Sequence, residues 1–248
     1  MSKLPKKKQR VNSFLQSAYQ KLFKHFGPQH WWPGETPFEI IVGAILTQNT
    51  NWGNVEKAIR NLKHEKVLTP QALHQISQSK LAALIKPAGY FNVKAKRLKN
   101  FIDYLFAEYD GSLAKMKREK LSTLRLKLLT INGIGPETAD SILLYAFAKP
   151  TFVVDAYTKR LLYRHNIIEH DATYHDVKDL FETFFKHDSK FFNEYHALIV
   201  RLGKDYCKTK ALCQLCPLND LEYSLIRKCP DCHRALTHSS LSHSCAKK

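Results

Sequence analysis

This sequence predicts an all-α fold, and three observations carry the prediction. Apolar residues recur at helical spacing, alternating β-branched runs are almost absent, and Pro37, Pro70 and Pro136 stand where helices begin, a place that tolerates proline. In chain order the periodic stretches run from Ser13 to Phe26, Pro37 to Thr47, Asn54 to Leu62, Pro70 to Ile76, Lys80 to Ile85 and Asn92 to Tyr109, with Pro87-Ala88-Gly89 breaking the last two apart. Thr123 to Leu129 and Glu137 to Ala148 then flank a tight break, Gly133-Ile134-Gly135, the second helix carrying its apolar face on Ala139, Ile142, Leu143 and Ala146. After the short extended approach Phe152-Val153-Val154, helix resumes from Ala156 to Tyr163 and in about three or four later segments. Residues 1–11 read as a basic, disordered arm and 229–248 as a polar, non-periodic tail.

Charge narrows the partners. Lys and Arg number 39 against 22 Asp and Glu, a formal net charge of +17 with a pI near 9.6. Such a balance suits a polyanion, DNA or RNA, better than an acidic metabolite. A hydrophobic content of 44% excludes wholesale disorder, and 248 residues allow one large or two small domains. The start MSKLPKKKQR lacks the apolar region of a secretory signal, and the longest apolar run, Ile40 to Leu46, is too short to span a bilayer. No membrane partner and a cytoplasmic location, on nucleoid DNA, are therefore expected. In that reducing setting the six cysteines read as thiols or metal ligands rather than disulfides.

The stretch from Leu128 to Arg160 is the most informative. Glycines at 133 and 135 permit backbone angles closed to other residues and bring bare N–H groups to the N-terminus of a helix, where the dipole favours anions. A helix-hairpin-helix turn of this kind suits a phosphodiester, although the same pattern also serves as an ordinary helix-helix turn. About twenty residues downstream, Asp155 precedes a new helix. Asp is a favoured N-cap, and capping does not exclude catalysis. A carboxylate here can face the sugar of an extruded nucleotide and stabilise oxocarbenium-like charge or activate water.

The order of these elements resembles the helix-hairpin-helix (HhH-GPD) DNA glycosylase superfamily, of endonuclease III type. Beyond the hairpin (about 123–148) and Asp155, the resemblance rests on Leu46-Thr47-Gln48-Asn49-Thr50, on Gly89-Tyr90-Phe91-Asn92-Val93-Lys94-Ala95-Lys96 and on HALIVRLGKDYC at 196–207. It implies a six-helix barrel module over 36–151, a second module from 12–35 and 152–228 with a cysteine loop, and a DNA-binding cleft between them. It implies a monomer acting on double-stranded DNA that contains damaged bases. Asp155 becomes the catalytic carboxylate, and Gly133, Ile134, Gly135 and Thr138 contact DNA through the hairpin. Gln48 enters the gap left by the flipped base, and Tyr90 or Phe91 wedges the opposite strand. Core packing for Phe91 and a surface role for Gln48 stay open.

One position departs from the bifunctional members, which carry a Schiff-base lysine two residues after the second glycine. Here that residue is Glu137. A carboxylate forms no imine, so the resemblance implies a monofunctional hydrolase of N-glycosyl bonds without Schiff-base lyase activity. Within the superfamily the chain is most similar to the endonuclease III-like 3-methyladenine DNA glycosylases, through Trp31-Trp32-Pro33, LTQNTNW at 46–52, PAGYFNVKAKRL at 87–98 and NGIGPETADSILLYA at 132–146. That likeness makes Trp32 and Trp52 a sandwich for the damaged base, with Trp31 and Glu137 at the same pocket. Indole faces attract cationic alkylpurines by a cation–π effect that neutral bases lack. Trp31 and Trp32 also suit plain core packing. The alternatives are a glycosylase for a mismatched or oxidised base and a non-catalytic helix-hairpin-helix binder of DNA structure.

The family's iron–sulfur loop has the spacing Cys-x6-Cys-x2-Cys-x5-Cys. Cys207, Cys213 and Cys216 stand in that place with one residue fewer in the first gap, and Glu222 falls at the fourth position. Cys229 or Cys232 can supply a fourth thiolate for a [4Fe–4S] cluster. Cys213 and Cys216 with Cys229 and Cys232 have the spacing of a four-thiolate structural zinc site, and a metal-free loop is the third reading. None of these is required for the excision chemistry.

Overall fold

The computed structural model describes residues 6–221 and the paired segments 227–228 and 235–236. The chain divides into two compact units, a central one over Trp32–Thr151 and a terminal one built from the chain before and after it. Both are helical.

Helix α1 (Lys6–Phe26) opens the terminal unit. The disordered arm expected over 1–11 is corrected at residues 6–11. Val11, Phe14, Leu15, Ala18 and Leu22 form one buried stripe at helical spacing. Because the stripe begins at Val11, the basic residues before it prolong a helix that packing already holds. Residues 1–5 lie outside the described residues.

The central unit follows as α2 (Pro37–Leu46), α3 (Trp52–His64), α4 (Pro70–Gln75), α5 (Gln78–Leu84), a 3-10 turn (Lys86–Ala88), α6 (Phe91–Tyr109), α7 (Leu113–Lys117), α8 (Leu121–Leu129) and α9 (Pro136–Ser141). Thr36, Asn51, Thr69, Ser77 and Ser112 cap α2, α3, α4, α5 and α7 by accepting backbone N–H groups in the first turn. One core runs through all of it, with Ile41, Ile45, Leu62, Leu98, Phe101, Ile102 and Leu143 fully buried. The continuous helix expected from Glu137 to Ala148 is corrected: after Ser141 it widens into a π-helical segment, Ile142–Ala146. Periodicity over so short a span cannot separate a 3.6-residue turn from a wider one.

The chain then returns to the terminal unit with α10 (Ala156–Arg164), α11 (Tyr174–Phe184) and α12 (Ser189–Asp205). Phe152, Phe181, Phe192 and Tyr195 form its aromatic core, Phe152 and Phe181 stacked at 3.7 Å. The Tyr195 hydroxyl donates to the Leu15 carbonyl at 2.7 Å, tying α12 to α1. Beyond a 3-10 turn (Cys213–Leu215), β1 (Arg227–Lys228) pairs antiparallel with β2 (Ala235–Leu236), a ladder too short to carry a sequence signal. The rest of the polar tail lies outside the described residues. No helix among the described residues is long and apolar enough to cross a membrane.

Gly203 explains the close approach of α12 to α10. A Cβ there would lie 2.7 Å from Tyr157 Cγ, inside the limit of any real contact. Gly203→Ala is therefore expected to destabilise the protein by about 1–3 kcal/mol through overpacking. A thermal melt of the variant checks this, and an unchanged midpoint would show that Tyr157 moves aside freely.

Candidate functional site

The hairpin between α8 and α9 is built by its inner face. Ile131 and Ile134 are buried, and the Ile134 N–H donates to the Ile131 carbonyl at 3.0 Å. Gly133 has φ +96, and a Cβ on it would collide with the aliphatic stem of Arg97. Glycine is required there twice over. Gly135 is different: at φ −90 it needs no special freedom, and a Cβ would meet nothing within 4 Å. Its value lies in the open approach it leaves to the start of α9, since Gly135 is exposed and carries no side chain. Two expected DNA contacts turn inward. The Ile134 side chain belongs to the core, and Thr138 is 6% exposed with its hydroxyl accepting from Gln48 Nε2 at 2.8 Å. Behind the hairpin, the fully buried carboxylate of Asp140 accepts from Arg125 Nε at 2.8 Å, from Arg125 Nη2 at 3.1 Å and from the Thr151 hydroxyl at 3.2 Å.

Gln48 is committed to this hairpin. Besides Thr138, its Nε2 donates to the Gly133 carbonyl at 3.0 Å, and its Oε1 accepts from Arg97 Nη1. The next residue, Asn49, is exposed with a left-handed backbone at φ 53. Tyr90 repeats that combination, 73% exposed at φ 45. Of the two readings left open for Phe91, wedge or core packing, its partly buried contact with the core favours the second. Strained left-handed conformations at non-glycine residues gather at functional sites, and the sequence offered no sign of them.

Trp32 and Trp52 pack on Gly43 of α2, and Tyr145 packs on Trp32. Trp32 and Tyr145 stack at 4.9 Å with planes 30° apart, whereas Trp32 and Trp52 meet edge to face at 5.2 Å and 85°. A Cβ on Gly43 would come within 3.4 Å of Trp32 Nε1 and 3.5 Å of Trp52 Cη2. Trp32 and Trp52, expected to sandwich the damaged base, stand edge to face here, whereas enclosing a base takes parallel faces about 7 Å apart, twice the van der Waals spacing. Tyr145, carried by the π-helical segment, escaped the sequence analysis because it sits in an apolar run that reads as core. Glu137 is exposed on the first turn of α9. Trp31 belongs to the terminal unit, where Lys204 Nζ lies 5.6 Å from its ring centroid.

In the terminal unit Asp155 is the N-cap of α10. Its Oδ1 accepts from the Thr158 N–H at 2.8 Å and the Thr158 hydroxyl at 2.9 Å. Its Oδ2 lies 3.7 Å from Nε2 of His196, a residue buried on α12. Burial pushes the His196 pKa down and the Asp155 carboxylate opposes the shift. His196 stands inside HALIVRLGKDYC, but nothing in that string marks it as Asp155's neighbour.

The cysteine loop follows α12. Arg160 donates to the carbonyls of Cys207 at 2.7 Å and Gly203 at 3.1 Å. Arg164 donates to Cys207 Sγ at 3.2 Å and to the carbonyls of Lys208 and Thr209 at 2.7 and 2.9 Å. Among the described residues no three His, Cys, Asp or Glu side chains converge to hold a metal ion. Cys207, Cys213 and Cys216 are each part-buried. Cys229 and Cys232, needed by the cluster and zinc readings, lie outside the described residues.

The depressed His196 gives a stability prediction. Between its ordinary value of 6.5 and the lower folded value the unfolded chain binds the extra proton, so stability present above pH 6.5 is lost as pH falls through that window. His196→Gln is expected to flatten this loss. Urea midpoints at about pH 7.5 and about pH 5 test it, and equal pH dependence in both proteins would exclude His196 as the source.

A family model described as HhH-GPD superfamily base excision DNA repair protein matches residues 42–187. A protein of Methanocaldococcus jannaschii named as a candidate DNA repair glycosylase is 48% identical, over 83% of this chain and 94% of its own length. Endonuclease III of Thermotoga maritima is 27% identical over 83% of this chain and 91% of its length. Among solved structures, the Helicobacter pylori 3-methyladenine DNA glycosylase bound to 1,N6-ethenoadenine superposes with TM-score 0.67 at 31% identity, covering 78% of this chain and 97% of that one. A non-covalent endonuclease III–DNA complex shares the fold, with TM-score 0.73 at 22% identity over 85% of this chain and 94% of that one. On the family match and the extent of the archaeal relative, the chain belongs to the HhH-GPD superfamily of base excision DNA repair proteins and is an endonuclease III-like DNA glycosylase.

Proposed function

We propose that this glycosylase is monofunctional and hydrolytically excises alkylated, cationic purines such as 3-methyladenine from duplex DNA. The observation that carries the substrate class is the aromatic trio in which Trp32 and Trp52 pack on Gly43 and Tyr145 stacks on Trp32. Three π-faces in a half-buried cluster favour a flat cation over a neutral base by about 0.5–2 kcal/mol. The similarity to a 3-methyladenine glycosylase supports the same class. Trp32 already has one face on Tyr145. Admitting a base between Trp32 and Trp52 therefore requires Trp52 to turn from edge-on to face-on.

Asp155 supplies the charge for the chemistry. Thr158 holds Oδ1 through two donors, fixing the plane of the carboxylate. The carboxylate offsets positive charge developing on the sugar and orients the attacking water. A cationic purine is already a good leaving group, so the reaction needs no separate general acid. Glu137 occupies the place of the Schiff-base lysine and provides no amine. The gap-filling role first given to Gln48 passes to Asn49, since the Gln48 amide is engaged with the hairpin while Asn49 is exposed. Tyr90 is the wedge, and Gly133 and Gly135 shape the phosphate grip.

Incubating the protein with methylated duplex DNA and identifying the released bases tests the proposal. 3-Methyladenine and 7-methylguanine are expected in the supernatant, and release of mismatched or oxidised bases instead would overturn the substrate class. Asp155→Asn is expected to lower release by at least about 100-fold while DNA binding stays within a few-fold. Unchanged turnover would remove Asp155 from the mechanism.

The abasic product should persist intact until alkali is added, and borohydride should trap no covalent protein–DNA adduct. A strong trapped adduct would show that an amine elsewhere in the chain replaces the missing lysine.

A further inference from the structure

Lys94 is a buried cation with no carboxylate paired to it among the described residues. Its side chain on α6 is 1% exposed, and Nζ donates to the carbonyl of Leu46, the last residue of α2, and to that of Ala88, the last residue of the 3-10 turn, each at 2.8 Å. Burial, aided by the Arg97 guanidinium, pushes its pKa down from 10.5 to about 8. A lone buried ammonium is costly. Here it is held by two backbone oxygens, one of them at the negative end of a helix.

The two carbonyls it joins are the roots of two loops. Leu46 leads into Thr47–Thr50, which carries Asn49 at φ 53, and Ala88 leads through Gly89 to Tyr90 at φ 45. The Thr50 hydroxyl adds a direct link, donating to the same Ala88 carbonyl at 2.8 Å. Two exposed, left-handed side chains thus spring from bases clasped at one point. An apolar residue at 94 would fill the space, but it would strip the Leu46 carbonyl of its ammonium partner and leave the Ala88 carbonyl to Thr50 alone.

We propose that Lys94, with Thr50, is a positioning residue that clasps the loops of Asn49 and Tyr90 into one rigid double prong, setting the spacing at which the prongs engage an unstacked gap in duplex DNA. The clasp rests on the reading of Asn49 and Tyr90 as the inserted residues. It acts on damaged-site recognition and not on general attraction to phosphates, which would fall on other surfaces.

The test measures equilibrium binding of the full chain to two duplexes of one sequence, one intact and one carrying a tetrahydrofuran abasic analogue. Wild type should prefer the abasic duplex. Lys94→Met should lose most of that preference, about tenfold for one misplaced insertion, while binding the intact duplex within about threefold. Thr50→Val, which removes a single hydrogen bond and keeps the fold accessible if Lys94→Met misfolds, should lose part of it. In an Asn49→Ala, Tyr90→Ala background, Lys94→Met should cost no further preference, because its effect passes through the prongs. A wild type with no preference would sink the prong reading and the clasp with it. A preference that survives both Lys94→Met and Thr50→Val, or equal losses on the two duplexes, would overturn the clasp alone.

Discussion

The buried ion pair between Arg125 and Asp140 is the constraint on which the hairpin depends. Asp140 is wholly shielded from water and sits on α9, whereas its guanidinium partner comes from α8, so their two hydrogen bonds bridge the helices on either side of the turn. Breaking such a pair by removing one partner leaves a buried charge uncompensated, at about 3–5 kcal/mol. The Thr151 hydroxyl on the same carboxylate carries the constraint to the residue where the central unit ends. A phosphate grip made of backbone amides has no side chains to adjust. It must inherit its shape from the helices behind it.

The two units divide the chemistry between them. The central unit holds the hairpin, the paired left-handed loops and the aromatic trio, which on the proposed reading grip, pry and accept a base. The terminal unit holds the carboxylate and the buried imidazole beside it. Each side chain is oriented within its own unit: Gln48 by the hairpin, Trp32 by Tyr145, Asp155 by Thr158. A carboxylate held as Asp155 is needs no reorganising at the moment of reaction.

The legible part of the sequence was the part that rests on local signals. Helices, caps and proline starts follow from periodicity and turn chemistry over a few residues, and the glycine hairpin with Asp155 is a compact string. The rest depends on contacts between distant positions. Gln48 looked like a free amide until its bonds to Gly133, Thr138 and Arg97 were seen. Tyr145 looked like core because the widened turn that presents it leaves no mark at this length. Phe91 and Tyr90 are neighbours of similar chemistry, and only the backbone at Tyr90 turns one outward and leaves the other inside. Lysine at 94 gave no hint that it would be buried, since burial of a lone ammonium runs against its usual preference.

The π-helical segment has a consequence for how this pocket can change over generations. A widened turn holds one residue more than an α-helical one, and each residue advances an α-helix by about 100°. Losing a single codon within 142–146 would let the turn relax to ordinary spacing and swing the residues after it round the axis relative to Asp140. The tyrosine facing Trp32 would then be replaced there by a neighbour, with the core composition barely altered. The contact with Trp32 is therefore more sensitive to an in-frame deletion than to most single substitutions, because Leu144 and Ala146, which flank Tyr145, carry no ring to replace it.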